Sequence, residues 1–364
     1  MFPHLTHGHR KVLEALVRHG TAARAELAEA SGYTRPAVTN LVRDLMDWGL
    51  VEEDNGAYVH TGRRGQPQKP VSLRSGAAYA FGIGFTAGAL DLVAMDLGGR
   101  VVGRTRTPLA EPSPRAVLET VQQQLESAYG KSHVVRWRQL GFGIGVPCDL
   151  PSEQAQAWNL AYRREELISY FANNLEGSVF IEAEPLACGI GERVFGVGAR
   201  YQTYLIVHIG LEIGGALFIE GRPFRGGQSM SGAGQIGQFF SEGTDVKSGP
   251  DGRELMRVLT KAGFGVGDLS DLDILPEAAQ GVIADWRHGA ATRLSAGLSK
   301  LSPFLSPDAI ILTGRLSPFL LKELAQAVNL GDGAPAVEAS RLGAFQTAIG
   351  AAALPVFCNL LPQV

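Results

Sequence analysis

No stretch of this 364-residue chain approaches the roughly 20 apolar residues that a bilayer-spanning helix requires. The opening MFPHLTHGHRKVLEAL has neither the apolar core nor the small-residue cleavage site of a secretory leader, so a cytoplasmic location without a membrane partner is expected. Cysteine is scarce: Cys148, Cys188 and Cys358 lie far apart in apolar or small-residue contexts. That spacing excludes a disulfide framework and a CxxC metal knuckle, and core thiols are the expectation. Strong net charge is lacking too, at −3 overall. Residues 1–75 nevertheless hold ten Lys and Arg against eight Asp and Glu, an excess that points to nucleic acid only where it falls on a motif. Glycine, by contrast, is abundant at 46 residues without a repeat period, which implies many tight turns rather than low complexity.

The first seventy residues supply the motif. HRKVLEALVRHG sets Val12, Leu13, Leu16 and Val17 on one helical face and stops at Gly20. RAELAEAS buries Leu27 and Ala28 and ends at Gly32, a residue suited to the left-handed conformation past a helix end. A third helix opens with Thr34 as N-cap and Pro36 in its first turn, then spaces Val38, Leu41, Val42 and Leu45 by threes and fours. Its other face carries Arg35, Thr39, Asn40 and Arg43. Two short helices around a glycine turn, the second with groove-reading side chains outward, predict a helix-turn-helix. Arg and Asn can pair with base edges, and Arg43, further along, meets phosphate. GLVEEDNGAYVHTG predicts a two-stranded wing turning at Asn55-Gly56, and GRRGQPQKP a breaker-rich linker. Its Arg63 and Arg64 are candidates for a minor groove.

From Tyr79 the pattern changes to strands. YAFGIGFTAGALDLVAMDLGGRVVGRTRTPL reads as strand, turn, strand, turn, strand, followed by a helix (RAVLETVQQQLESAYG) and another strand (QLGFGIGVP). The order recurs from YQTYLIVHIGLEIGGALFIEGRPF to DAIILTG. Two meanders with appended α/β units predict two lobes around a cleft.

With these stretches in place, the chain resembles the ROK family (repressors, open reading frames and kinases) of the actin-like ATPase superfamily. Further matching stretches are WNLAY, VFIEAEPLACGIGERVFG, GAGQIGQ and LGAFQTAIGAAAL. The fold implied is an N-terminal, mainly α winged helix-turn-helix followed by a two-lobed α/β, sugar-kinase-like body. Implied boundaries are residues 1–62 for the head and 63–76 for a basic linker. Residues 77–192 form lobe 1, completed by a C-terminal helix at 341–358, and residues 193–340 form lobe 2.

Departures from the family pattern fall where its chemistry resides. Gly84 stands for the phosphate-turn Asp, and Leu211 and Glu212 put bulk and negative charge into the second phosphate turn. Glu184 replaces the catalytic Asp with a longer arm, Ala183 and Leu186 replace two Asn, Gln238 replaces a zinc-binding His, and TDVKSGPDGREL retains no Cys. The resemblance then implies a transcriptional regulator that reads operator DNA through Arg35, Pro36, Thr39, Asn40, Arg43, Arg63 and Arg64. It senses a sugar-like effector through Asn159, Tyr162, Glu184, Gln235 and Gln238, with no kinase activity, cofactor or metal, and as a homodimer or homotetramer. Gln238 is expected to make ordinary hydrogen bonds in place of a zinc bond. An active sugar kinase with an accessory DNA-binding domain, and a regulator with an empty cleft controlled by a protein partner, are the alternatives.

Overall fold

The computed structural model describes residues 4–53, 69–86, 88–131, 138–150, 152–226, 234–240 and 249–362. The expected wing turn at Asn55-Gly56 and the basic pair Arg63 and Arg64 lie outside them.

The head consists of α1 (His7–His19), β1 (Thr21–Ala22), α2 (Arg24–Ser31), α3 (Arg35–Asp47), β2 (Val51–Glu53) and β3 (Val71–Leu73). The periodic residues do what their spacing requires: Val12, Leu13, Leu16, Leu27, Val38, Val42 and Leu45 are buried together, excluding water from a small shared core. Gly32 takes φ 75° and ψ 12° to end α2, a conformation that costs glycine little. Thr34 occupies the N-cap position of α3 with extended dihedrals but makes no side-chain cap bond there. The central strand of the head's sheet, in the order β1-β3-β2, is β3. It comes from inside the stretch expected to be linker, and three residues are too few to display an alternating pattern.

Each lobe repeats one topology. Lobe 1 contains β4 (Tyr79–Phe85), β5 (Ala89–Asp96), β6 (Val101–Pro108), α4 (Pro114–Lys131), β7 (Gln139–Val146), α5 (Ser152–Ala157), α6 (Leu160–Ala172) and β8 (Val179–Ala183). The connector α7 (Glu184–Phe195) leads to lobe 2, with β9 (Tyr204–Ile209), β10 (Ile213–Ile219), β11 (Arg222–Phe224), α8 (Gly252–Lys261), α9 (Gln280–Leu305), β12 (Ala309–Gly314), α10 (Pro318–Ala327) and β13 (Ala336–Ala339). The sheets run β6-β5-β4-β7-β8 and β11-β10-β9-β12-β13. In both, an antiparallel meander is extended by two parallel strands, as the duplicated pattern predicts.

The last helix, α11 (Gln346–Leu360), returns to pack on β4, β7 and α7. Glycines admit it. A Cβ on Gly82 would lie 1.8 Å from the carbonyl oxygen of Ala348, and one on Gly143 would lie 1.8 Å from that of Ala351. Gly191 and Gly350 provide the same closeness where α7 crosses α11.

Head and body are docked through polar contacts around an apolar seam. Arg193 at the far end of α7 is 1 % exposed and bonds Glu14 of α1 at 2.9 Å, while its other nitrogens donate to the carbonyls of Gly221 and Ala199. Arg10 donates to the carbonyls of Asn359 and Leu361.

The contact between α11 and the sheet gives a direct expectation. Gly143→Ala should lower unfolding free energy by about 3 kcal/mol through overpacking against backbone, whereas Gly265→Ala, with open space around it, should change it by less than about 0.5 kcal/mol. Urea denaturation of the two variants checks the contrast.

Candidate functional site

The exposed face of α3 carries Arg35, Pro36, Thr39, Asn40 and Arg43, all solvent-facing, while Val38, Val42 and Leu45 hold the opposite face in the core. The Thr39 hydroxyl donates to the Arg35 carbonyl at 2.9 Å, so it serves its own helix as well as any groove. His9 of α1 lies 3.4 Å from Asp44 of α3 and its ring is 4.7 Å from that of Trp48. These contacts fix the angle at which the reading face is presented.

Between the lobes lies a cleft of about 740 Å³, within the range that holds a small organic ligand. Gln235 and Gln238 are exposed on its wall, and among the described residues neither amide has a hydrogen-bond partner. They are held there by backbone: Gly234 adopts φ 131° and passes so close to β10 that a Cβ would lie 2.0 Å from the Gly215 carbonyl oxygen. Asn159, half-buried just before α6, is itself outside the lining, although its chain neighbours Trp158 and Leu160 belong to it. Tyr162 points elsewhere, 74 % exposed and outside the lining. Glu184 also lies outside the lining, sealed beneath Ala183 and Pro185 at 2 % exposure.

What seals Glu184 is a buried ionic network under the cleft. Arg315, just past β12, donates from Nε to Glu184 Oε1 at 3.1 Å and from Nη2 to Oε2 at 2.7 Å. The same Nη2 reaches Asp149 Oδ1 at 3.1 Å. His208 Nε2 is 3.4 Å from Glu184, its Nδ1 is 3.1 Å from the Thr313 hydroxyl, and the Thr347 hydroxyl donates to Glu184. Burial alone would raise the Glu184 carboxyl, but Arg315 and then His208 outweigh it and hold the group ionised well below the usual carboxylate range. Burial would likewise lower Arg315, and Glu184 and Asp149 reverse that, leaving it more firmly protonated than a free arginine.

Asp149 does more than pair with Arg315. Its other oxygen accepts the backbone N–H of Leu211 at 2.9 Å, inside the turn that joins β9 to β10. That turn is clamped from behind as well, since Gly252 and Arg253 at the start of α8 donate to the carbonyls of Gly210 and Leu211. Glu212 pairs with Arg253 at 2.8 Å. A turn N–H aimed at a resident carboxylate is not available to a phosphate. Gly84 lies within β4 rather than in a turn, and a Cβ there would come within 3.0 Å of Thr347 and the Ala348 nitrogen.

Two residue groups in the cleft escape sequence reasoning. Glu182, on β8 and 5 % exposed, is gripped by the guanidiniums of Arg164 from lobe 1 and Arg225 from lobe 2. Arg315, Asp149 and His208 are equally silent in the sequence, because no local pattern marks them; only their convergence in space does. Of the cysteines, Cys188 is buried, Cys358 half-buried and Cys148 exposed on the cleft wall, so the expectation of three core thiols fails for Cys148. It follows Pro147 where β7 ends and the chain turns along the cleft. Among the described residues no group of three His, Cys, Asp or Glu side chains is arranged to hold a metal ion, and the ordinary hydrogen bonds expected of Gln238 are not made to any described residue.

A winged head on a duplicated, two-lobed body with a polar cleft is the architecture of a sugar-kinase-like protein fitted with a DNA reader. Residues 5–57 match the MarR family and residues 80–242 match the ROK family; the chain is a MarR-type helix-turn-helix joined to a ROK domain. It is 26% identical to the xylose repressor of Bacillus spizizenii over 61% of this chain and 57% of that one. The crystal structure of a ROK family transcriptional regulator homologous to the E. coli MLC protein superposes with a TM-score of 0.63 at 17% identity, covering 96% of both chains. The ROK hexokinase of Thermus thermophilus matches the body, with a TM-score of 0.53 and 20% identity over 75% of this chain and 97% of that one. The fold therefore occurs in regulators and in kinases. Among the described residues no helix is long and apolar enough to cross a membrane.

Removing one member of the buried network strands its partners as uncompensated charges. Arg315→Met should cost about 3 to 5 kcal/mol, and adding Glu184→Gln should restore part of that loss, both read by urea denaturation. Because the folded state depresses the Glu184 carboxyl from 4.5, its stabilisation is complete above that value and disappears as pH falls below it. Glu184→Gln should flatten this acid limb of the melting temperature against pH.

Proposed function

We propose that this protein is a cytoplasmic, sugar-responsive transcriptional repressor that has given up phosphoryl transfer. The observation that carries the proposal is the network under the cleft. Phosphoryl transfer to a sugar needs a carboxylate free to take the hydroxyl proton and backbone donors free to hold phosphate. Glu184 is committed to Arg315, and the Leu211 N–H is committed to Asp149. The site is thus a finished ionic structure rather than a reactive one.

The rest of the cleft supports recognition. Gln235 and Gln238 can donate to and accept from adjacent hydroxyls, and Asn159 is flanked by the wall residues Trp158 and Leu160. Glu184 acts through Arg315 in this reading, and Tyr162, which lies outside the lining, has no part in it. The xylose repressor and the MLC-like regulator among the similar proteins are the kind of protein this reading describes. Operator contact falls to Arg35, Pro36, Thr39, Asn40 and Arg43, with Arg63 and Arg64 reaching an adjacent minor groove. Two reading heads are needed for two half-sites, so the working unit is a homodimer or homotetramer. Lobe movement on ligand binding changes the operator affinity by favouring one of two arrangements.

Operator fragments selected from genomic DNA provide the test. Arg35→Ala and Asn40→Ala should each weaken binding by about 1 to 3 kcal/mol in gel shifts, as expected for a lost base contact, and unchanged affinity would sink the groove assignment. A neutral sugar or sugar derivative at 100 times its dissociation constant should add roughly 2.7 kcal/mol of stability. Magnesium ATP should not be consumed with that ligand, and measurable turnover would restore the kinase reading.

A further inference from the structure

Three arginines and three carboxylates line the cleft, so the charges balance in number but not in place. Glu212 and Arg253 pair with each other, and Asp251 caps α8 by accepting the Glu254 N–H. On the wall built by β8 and α6, however, two cations share one anion. Arg164 donates to both oxygens of Glu182, through Nη1 at 3.1 Å and Nη2 at 2.5 Å. Arg225 does the same, through Nη1 at 3.2 Å and Nη2 at 2.6 Å. Four N–H donors thus saturate a nearly buried carboxylate and leave one positive charge over.

That surplus faces the cleft. Arg164 and Arg225 both belong to the lining, and their side chains are 35% and 54% exposed. A guanidinium carries five N–H donors in a planar fork, so each arginine keeps three after serving Glu182. Among the described residues neither has a further hydrogen-bond acceptor. Glu182 fixes both planes in advance, so a second carboxylate or a phosphate meets oriented donors without having to order two long side chains. The two arginines also come from different lobes. An anion lying between them is held by both halves of the body.

We propose that the effector is an anionic sugar, a sugar acid or a sugar phosphate, whose charged group binds the Arg164–Arg225 pair while its hydroxyls face Gln235 and Gln238. This rests on the reading of the cleft as an effector site and narrows its ligand class. Arg225 is then the specificity-determining residue, because it supplies the more exposed of the two guanidiniums and ties ligand charge to the position of lobe 2.

The test uses the full chain and matched trios of neutral sugar, sugar acid and sugar phosphate on xylose, glucose and galactose skeletons, with inorganic phosphate as a control. Calorimetric titration should show one charged member binding at least tenfold more tightly than its neutral parent, with the advantage shrinking as sodium chloride rises. Arg225→Gln should erase the advantage while leaving the neutral parent's affinity within about twofold. The better of the two charged forms distinguishes carboxylate from phosphate. If Arg225→Gln does not fold, Arg164→Gln replaces it with the same expectation. Equal or tighter binding of the neutral sugar, or a charge preference that survives both variants, overturns the proposal and leaves the effector site standing. Binding of inorganic phosphate alone with the affinity of the sugar phosphate also overturns it, and silence across all trios removes the effector reading and this inference together.

Discussion

One guanidinium, that of Arg315, determines how the two lobes of this protein can sit. It enters from lobe 2 and meets Glu184 at the start of α7 and Asp149 at the end of β7. Three charged side chains that are almost without solvent contact have few alternative arrangements, because a low dielectric makes any unpaired state expensive. Asp149 passes the constraint to the turn at Leu211, and His208 and Thr347 pass it to the sheet of lobe 2 and to α11. The cleft above inherits its shape from this floor. Its ionic wall, with Glu182 between Arg164 and Arg225, repeats the device nearer to solvent, where the two guanidiniums are partly exposed.

Local features of the fold were legible in the sequence because periodicity and turn residues are local properties. The helical spacing of Val38, Val42 and Leu45, the stop at Gly32 and the repeated meander all survive in the structure. The strand β3 was not legible: it is three residues long and follows a run of breakers. Glycines were ambiguous in a more instructive way. Gly84 looks like part of a phosphate turn, whereas the structure uses it, with Gly82, inside β4 to receive α11.

The candidate site was half legible for the same reason. Gln235 and Gln238 stand out against a pattern and do line the cleft. Glu184 stands out too, but its partner is 131 residues away, and the contact between Arg315 and Asp149 spans 166 residues. No spacing rule reaches that far. Tyr162 follows Asn159 in sequence but is exposed and outside the cleft lining; Asn159 precedes the first residue of α6, so helical spacing does not place the two side chains on one face.

The return of α11 has a consequence for how the chain is made. Strands β4 and β7 pair with each other and bury Phe81, Ile83, Phe142 and Ile144 on one face, but their glycine-rich other face stays uncovered until residues 346–360 arrive. On the ribosome, the head's three helices can settle early, since their mutual contacts are close in sequence. That face of lobe 1 waits through the synthesis of all of lobe 2. The seam that receives α1 is built partly from α11 as well, through the carbonyls of Asn359 and Leu361. A reader of DNA is therefore folded long before it is mounted, and the body that is to govern it becomes complete only as synthesis reaches those last helical turns.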